Sequence, residues 1–339
     1  MRPGEFEWIE QLARRFGSGD RGGGLIGIGD DAAIIPFGPS SADEALAISV
    51  DSQVEDIHFR RGWIAFRDLA LRLVHVGFSD IAAMGAAPLH ALVSVEVGPE
   101  IGEIDLAAFT DGMQIGLREL SAELIGGNVS GRAGGFSAHV TAIGRQKRQL
   151  MLRRNGAHPG DGIYVTGKLG AAAAAIRALT SVKDASLPIP PALIDAFRKP
   201  RAHIREGLIL AESGWATAAI DISDGLVPDL GHVCKASGAG AALDLDHLPI
   251  ADELRAWMPN DPDGAELLAL TGGENYVLLF TAANNPARET DAARRFAEAG
   301  GQFWRIGTIT AEKQLVGLRL GRTVSLPTQG FDHLRGSLR

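Results

Sequence analysis

The chain has 339 residues, 45% of them hydrophobic, and a formal net charge of −8. That length can bury a full core and suits two domains better than one. The acidic balance, without any run of Lys and Arg, argues against a nucleic-acid surface, because a phosphate backbone demands a basic face. The one cysteine, Cys234, rules out a disulfide framework within one chain and fits a reducing compartment. Gly4 to Ile9 lacks a basic region followed by an apolar one, so no signal peptide is expected. The longest apolar runs also fall short of a membrane span. The expectation is a cytoplasmic protein with no membrane partner and no nucleic-acid partner.

In chain order, Phe6, Ile9, Leu12 and Phe16 carry the three-to-four spacing of an amphipathic helix. Gly17 to Gly29 is glycine-rich with few apolar anchors, which predicts a mobile loop able to act as a lid or to approach phosphate. Ala45 to Val50 reads as a strand, Phe66 to Gly85 as one long helix ending in Asp80, and Leu89 to Val97 as a strand. Ile104 to Leu124 reads as a helix and Phe136 to Gly144 as a strand. The basic stretch Arg145-Gln146-Lys147-Arg148 is poor core material and sets the expected boundary between domains at 1–148 and 149–339. Beyond it, Gly162 to Thr166 reads as a strand and Ala171 to Leu179 as a helix. Pro188 to Pro191 leads into a helix from Ala192 to Ser213, and Thr217 to Ile220 is a strand. A helix over Leu226 to Ala236, strands at Ala241 to Leu245 and Tyr276 to Thr281, a helix over Ala287 to Gly300 and a strand at Trp304 to Ile309 complete the pattern. Both halves are mixed α/β (α+β).

Aspartates recur beside glycines or at the ends of apolar runs: Gly27-Ile28-Gly29-Asp30-Asp31-Ala32, Val50-Asp51, Ser79-Asp80-Ile81 and Asp221-Ile222-Ser223-Asp224-Gly225. Hard divalent cations take oxygen ligands and neutralise substrate phosphates, so this recurrence points to a magnesium-dependent nucleotide-phosphate enzyme. Each site also has a plainer reading. Asp30 and Asp31 could cap a helix through Ala32 to Ile35, Asp224 could cap the helix that follows it, and Asp80 could be a polar residue on a helix face. The accumulation favours ligands, because buried carboxylates need partners that compensate their charge.

Two phosphate motifs match only in part. Gly162 to Lys168 has P-loop spacing, but Leu169 stands where a hydroxyl should reach magnesium, and the Ile-Tyr-Val-Thr run commits its N–H groups to a sheet. Gly27 to Ala32 fits G-x-G-x-x-A, yet adjacent carboxylates there repel a pyrophosphate by roughly 1 kcal/mol each at about 4 Å in water. A cation between them reverses the sign. The cluster Glu55-Asp56-Ile57-His58 lacks a second histidine at zinc-ligand spacing.

These stretches, with Gly126-Gly127-Asn128, Arg154-Asn155-Gly156, Gly272-Gly273-Glu274-Asn275-Tyr276 and Gly330-Phe331-Asp332-His333, resemble the thiamine-monophosphate kinases. That family sits in the superfamily of aminoimidazole ribonucleotide synthetase, selenophosphate synthetase and the hydrogenase-maturation dehydratase. The resemblance spans nearly the whole chain. It implies the two-domain PurM-like fold: an N-terminal mixed sheet that forms a barrel with a second subunit in a homodimer, a C-terminal α/β domain, and ATP between the domains. By position it implies metal roles for Asp30, Ser49, Val50, Asp51, Asp80, Asn128, Asp221 and Asp224. Gly127, Asn128, Arg154 and Ser223 match nucleotide contacts, while His58, Glu274 and Phe331 match positions that hold thiamine monophosphate. The implied reaction moves the γ-phosphoryl of ATP, with Mg²⁺, onto the substrate phosphate, carried by Asp30, Asp80, Arg154 and Asp221.

A phosphate monoester has its second pKa at about 6, so the attacking oxygen is largely deprotonated and needs no protein base. Several cations and one arginine suffice to align two polyanions. The chain departs from the family pattern at Asn128, where Asp is usual, at Val50, at Asn275 and Val277, and at Phe331. Two alternatives therefore stand beside a thiamine-monophosphate kinase. One is an ATP-using enzyme of the same superfamily with another acceptor; the other is a nucleotide-binding dimer without catalysis. Selenophosphate synthetase lacks its reactive cysteine here, and the dehydratase its terminal one.

Overall fold

The computed structural model describes residues 5–16, 19, 24–37, 43–180 and 189–327. The first half contains α1 (Glu5–Phe16), β1 (Ala33–Phe37), β2 (Glu44–Val54), α2 (Phe66–Gly77), α3 (Ser79–Ala83), β3 (Ala87–Val97), α4 (Glu103–Glu119), β4 (Glu123–Gly131) and β5 (Phe136–Lys147). The second half contains β6 (Gly162–Val165), α5 (Ala171–Thr180), α6 (Pro191–Arg198), α7 (Ile204–Ser213), β7 (Ala216–Asp221), α8 (Leu226–Ser237) and β8 (Gly240–Asp244). It continues with α9 (Asp252–Trp257), α10 (Pro262–Thr271), β9 (Leu278–Ala282), α11 (Pro286–Glu298), β10 (Trp304–Thr310), β11 (Leu315–Arg319) and β12 (Arg322–Ser325).

Two mixed sheets organise the chain. The five-stranded sheet runs β1-β2-β5-β3-β4, with β3 and β4 parallel and the other pairs antiparallel. β2 and β5 bury alternate residues, as a half-covered strand does, and α2 covers that face with Leu69, Leu73 and Val74. The seven-stranded sheet runs β12-β11-β8-β10-β6-β9-β7, and β9 is buried along its length. Beneath it, Tyr164 stacks on Phe280 with ring centroids 5.1 Å apart, and Trp215 and Phe303 pack against the pair.

Several elements differ from the sequence reading. The long helix expected over Phe66 to Gly85 breaks at Phe78, whose φ of −86° and ψ of −2° end α2 and start α3. The helix expected over Ala192 to Ser213 is α6 and α7, because Pro200 forbids helical backbone at Lys199, which adopts φ −132° and ψ 56°. The residues after Asp31 form the strand β1, not a helix capped by Asp30 and Asp31. The helix expected to reach Leu124 stops at Glu119, and Glu123–Gly131 is an edge strand. Arg145 to Lys147 continue β5. Of the glycine-rich segment read as a lid, residues 17, 18 and 20–23 lie outside the described residues; the Gly19 N–H donates to the Ile28 carbonyl at 3.0 Å. Among the described residues no helix is long and apolar enough to cross a membrane.

Candidate active site

The break at Phe78 turns α3 toward β7. α7 lies close enough to α3 that a Cβ on Gly207 would sit 2.1 Å from the Ala82 carbonyl oxygen, so glycine is required there. This packing lets the Ser79 hydroxyl donate to Asp221 Oδ2 at 2.6 Å and brings Asp80 to Ser49 of β2, whose hydroxyl donates to Asp80 Oδ2. Asp31 completes the group: one carboxylate oxygen from each of Asp31, Asp80 and Asp221 lies within 4.8 Å of the others. Asp51 lies near enough to add repulsion to Asp80 and Asp221.

Burial and mutual repulsion both penalise ionisation here. Burial pushes Asp31 up to about 7, with Arg154 opposing the rise and Asp221 and Asp30 adding to it. Burial likewise pushes Asp221 up to about 6 against the Ser79 hydrogen bond. Asp51 reaches about 6, with the Ser52 amide opposing and Glu274 adding. Asp80 lies well above the usual carboxylate range because it is buried and faces Asp221, Asp31 and Asp51. Four acids, two buried and two half-buried, with one arginine on Asp31 between them, form an oxygen donor set that fits a hard divalent cation.

Asp30 and Asp31 diverge although they are neighbours in sequence. Asp30 accepts from the Arg154 backbone N–H at 3.0 Å and from Arg153 Nε at 3.2 Å. Asp31, whose side chain is fully buried, is gripped by the Arg154 guanidinium through Nη2 to Oδ1 at 3.0 Å and Nε to Oδ2 at 3.2 Å. A cleft of about 390 Å³ opens beside them, lined by Gly27, Ile28, Asp30, Asp31, Ser49 and Val50.

The turn after β7 is held by Asp229, whose Oδ2 accepts the backbone N–H groups of Ser223, Asp224 and Gly225 at 3.0 to 3.1 Å. Gly225 has φ +128°, and a Cβ there would meet the Thr271 backbone at 2.8 Å, so only glycine fits. The Ser223 carbonyl accepts the Glu274 N–H at 2.7 Å, which docks the Gly272–Val277 loop on this turn. Glu274 pairs with Arg72 of α2. His58 Nδ1 accepts the Val54 N–H at 3.1 Å within the turn after β2.

Gly127 and Asn128 stand apart from the acids within one chain. Asn128 is opposite Ser94, Ser94 opposite His139, and His139 opposite Ser52, so three strand spacings of about 4.8 Å each separate Asn128 from the β2 row. Phe331 lies outside the described residues. The sequence points to Asp31 only together with Asp30, to which alone the metal role is assigned, and it gives no role to Arg72, Ser79 or Asp229. An arginine inside the apolar run Leu69-Ala70-Leu71-Arg72-Leu73-Val74 was the signal for one of them.

Residues 29–146 match the family described as AIR synthase related protein, N-terminal domain, and residues 158–318 match its C-terminal domain. The thiamine-monophosphate kinase of Escherichia coli K12 is 36% identical over 340 residues, covering 98% of this chain and 99% of its own. That of Aquifex aeolicus is 30% identical over 279 residues, covering 81% and 88%. Among solved structures, AaThiL complexed with AMPPCP and TMP superposes with a TM-score of 0.83 at 26% identity, covering 98% of this chain and 99% of that one. Thiamine-monophosphate kinase from Stenotrophomonas maltophilia K279a superposes with a TM-score of 0.73 at 33% identity, covering 94% and 98%. Escherichia coli HypE, a hydrogenase maturation protein at 18% identity, shares the fold. The chain belongs to the AIR synthase related proteins and, within them, to the thiamine-monophosphate kinase family.

Proposed function

We propose that the chain phosphorylates thiamine monophosphate directly, moving the γ-phosphoryl of ATP onto the acceptor's phosphate to give thiamine diphosphate and ADP. The carrying observation is that carboxylate oxygens of Asp31, Asp80 and Asp221 lie within 4.8 Å of one another, with Asp51 beside them and Asp31 on the cleft wall, in a chain that matches thiamine-monophosphate kinases over almost its whole length. Asp31, Asp51, Asp80 and Asp221 would hold Mg²⁺, with Asp30, Ser49, Val50 and Asp224 around them. The metal, when bound, screens the charge of two polyanions. Arg154, which grips the cleft-lining Asp31, offers a fork for a phosphate once that hold loosens. Ser223 borders the nucleotide, and His58, Glu274 and Phe331 border the acceptor. The acceptor oxygen is largely ionised near neutrality, so the residues supply alignment and charge balance.

A second copy of the chain completes this reading. All nine residues of β4 are exposed, including Leu124, Ile125 and Val129, and an apolar edge strand invites pairing. β1 covers β2 only as far as Ile48, which leaves Ser49 to Val54 without a neighbour on that edge among the described residues. Pairing β4 of one copy with this half of β2 in another closes a barrel and carries Gly127 and Asn128 to the Val50-Asp51 strand. The halves 1–148 and 149–339 then act as the ATP-and-dimer domain and its covering domain, in the cytoplasm. Purified chain with ATP, Mg²⁺ and thiamine monophosphate should yield thiamine diphosphate by chromatography, while free thiamine stays unphosphorylated. No product across a range of Mg²⁺ concentrations rejects the reading.

A further inference from the structure

Arg72 is fully buried, an unusual position for a guanidinium, and its contacts tie three elements to α2. Its Nε donates to Gln53 Oε1 of β2 at 2.9 Å, Nη1 donates to the Phe197 carbonyl of α6, and Nη2 donates to Glu274 Oε2. The guanidinium carbon sits 4.6 Å from the Phe197 ring centroid and 5.8 Å from that of Tyr276. Arginine is a donor only, so Gln53 must turn its oxygen toward it. The buried Gln53 Nε2 is then left with no hydrogen-bond partner among the described residues. Three polar contacts and two aromatic faces leave this guanidinium a single position.

Its partner is held from the other side too. Glu274 and Tyr276 have φ of +69° and +51°, strained for residues with side chains, and their N–H groups donate to Ser223 and Ile222 at 2.7 and 2.8 Å. The Glu274 side chain keeps 19% of its surface exposed, and its backbone docks on the turn that follows Asp221. A carboxylate locked in strained backbone at the rim of an acidic site suits a cationic ligand, and the thiazolium ring of thiamine is one. Without a fixed countercharge, Glu274 would be driven away from the other carboxylates of the site.

We infer that Arg72 is a positioning residue for the acceptor: it fixes the Glu274 carboxylate so that this group receives the cationic heterocycle of thiamine monophosphate. This rests on the function proposed above. Arg72 has no exposed surface to offer a phosphate, so it governs affinity for the acceptor and not for ATP.

Arg72→Lys keeps a charge and loses the fork. It should raise KM for thiamine monophosphate about tenfold while KM for ATP stays within about twofold. Calorimetric titration with thiamine monophosphate alone should weaken by the same factor. Glu274→Gln should behave alike, and the Arg72→Met/Glu274→Gln pair should lose no more than Glu274→Gln alone, because the two residues act as one unit. Should Arg72→Lys not fold, the paired variant, which leaves no buried charge unmatched, carries the comparison with Glu274→Gln. An unchanged KM for thiamine monophosphate, equal rises in both KM values, or losses that multiply in the paired variant would each overturn the assignment. Parent protein that does not phosphorylate thiamine monophosphate removes the functional reading and this inference together; active parent with unaffected variants removes this inference alone.

Discussion

Asp80→Asn should change stability in opposite directions with and without Mg²⁺. Asp80 shares a pocket with Asp31 and Asp221, with carboxylate oxygens within 4.8 Å, and two unit charges at that separation repel by roughly 3.5 kcal/mol at an effective dielectric of about 20. Partial protonation relieves much of this, so the neutral amide should stabilise metal-free protein by about 1 to 2 kcal/mol near pH 8, a rise in Tm of a few degrees. The amide oxygen still accepts from Ser49, so that hydrogen bond persists. With Mg²⁺ present the order should invert, because the parent gains about 2.7 kcal/mol at a metal concentration near 100 times Kd and the variant loses most of that gain. Differential scanning fluorimetry in EDTA and in excess Mg²⁺ reads both arms. A variant less stable than the parent in EDTA, with an undiminished Mg²⁺ shift, would refute the argument that these acids repel one another until a cation arrives.

The pH dependence follows from the same acids. Asp51 and Asp221 have folded values pushed up to about 6 and Asp31 to about 7, all above the unfolded value, so their contribution is fully present below about pH 4 and is lost as pH rises through 6 to 7. The Mg²⁺-induced rise in Tm should therefore be larger near pH 8 than near pH 5.5, and an equal rise at both would count against it. Val129→Arg, on an exposed position of β4, should convert a dimer to a monomer in light scattering while leaving far-UV circular dichroism unchanged. A dimer that survives it places the contact elsewhere. Asn128→Asp should tighten Mg²⁺ binding in the dimer, by about 1 kcal/mol or more; in the Val129→Arg background it should do nothing, because Asn128 is three strands from β2 within one chain.

The mixed α/β organisation was legible because many elements carry a clear period or an apolar run: β5 alternates, β2 is a short apolar run, and α11 has a face of apolar residues. The misses have local causes. Phe78 sits in an otherwise unbroken helical pattern, and only its tertiary packing turns the chain there. β4 hid because a strand exposed at every residue shows no alternation and contains Gly126-Gly127. Pro200 was a readable stop signal that the apolar spacing outweighed. At the site, the sequence marked the aspartate-bearing loops, but adjacent residues on a loop cannot be told apart without its phase. Asp31 faces Asp80 and Asp221, while Asp30 turns to Arg153. Asp229 was invisible as an anchor, since its three backbone partners are defined only by the fold.

The most direct test is anomalous scattering from crystals grown with Mn²⁺, a non-hydrolysable ATP analogue and thiamine monophosphate. Metal peaks bridging Asp31, Asp80 and Asp221 and touching phosphate oxygens are the predicted result. Metal bound only at remote surface carboxylates, with both ligands seated elsewhere, would contradict the account.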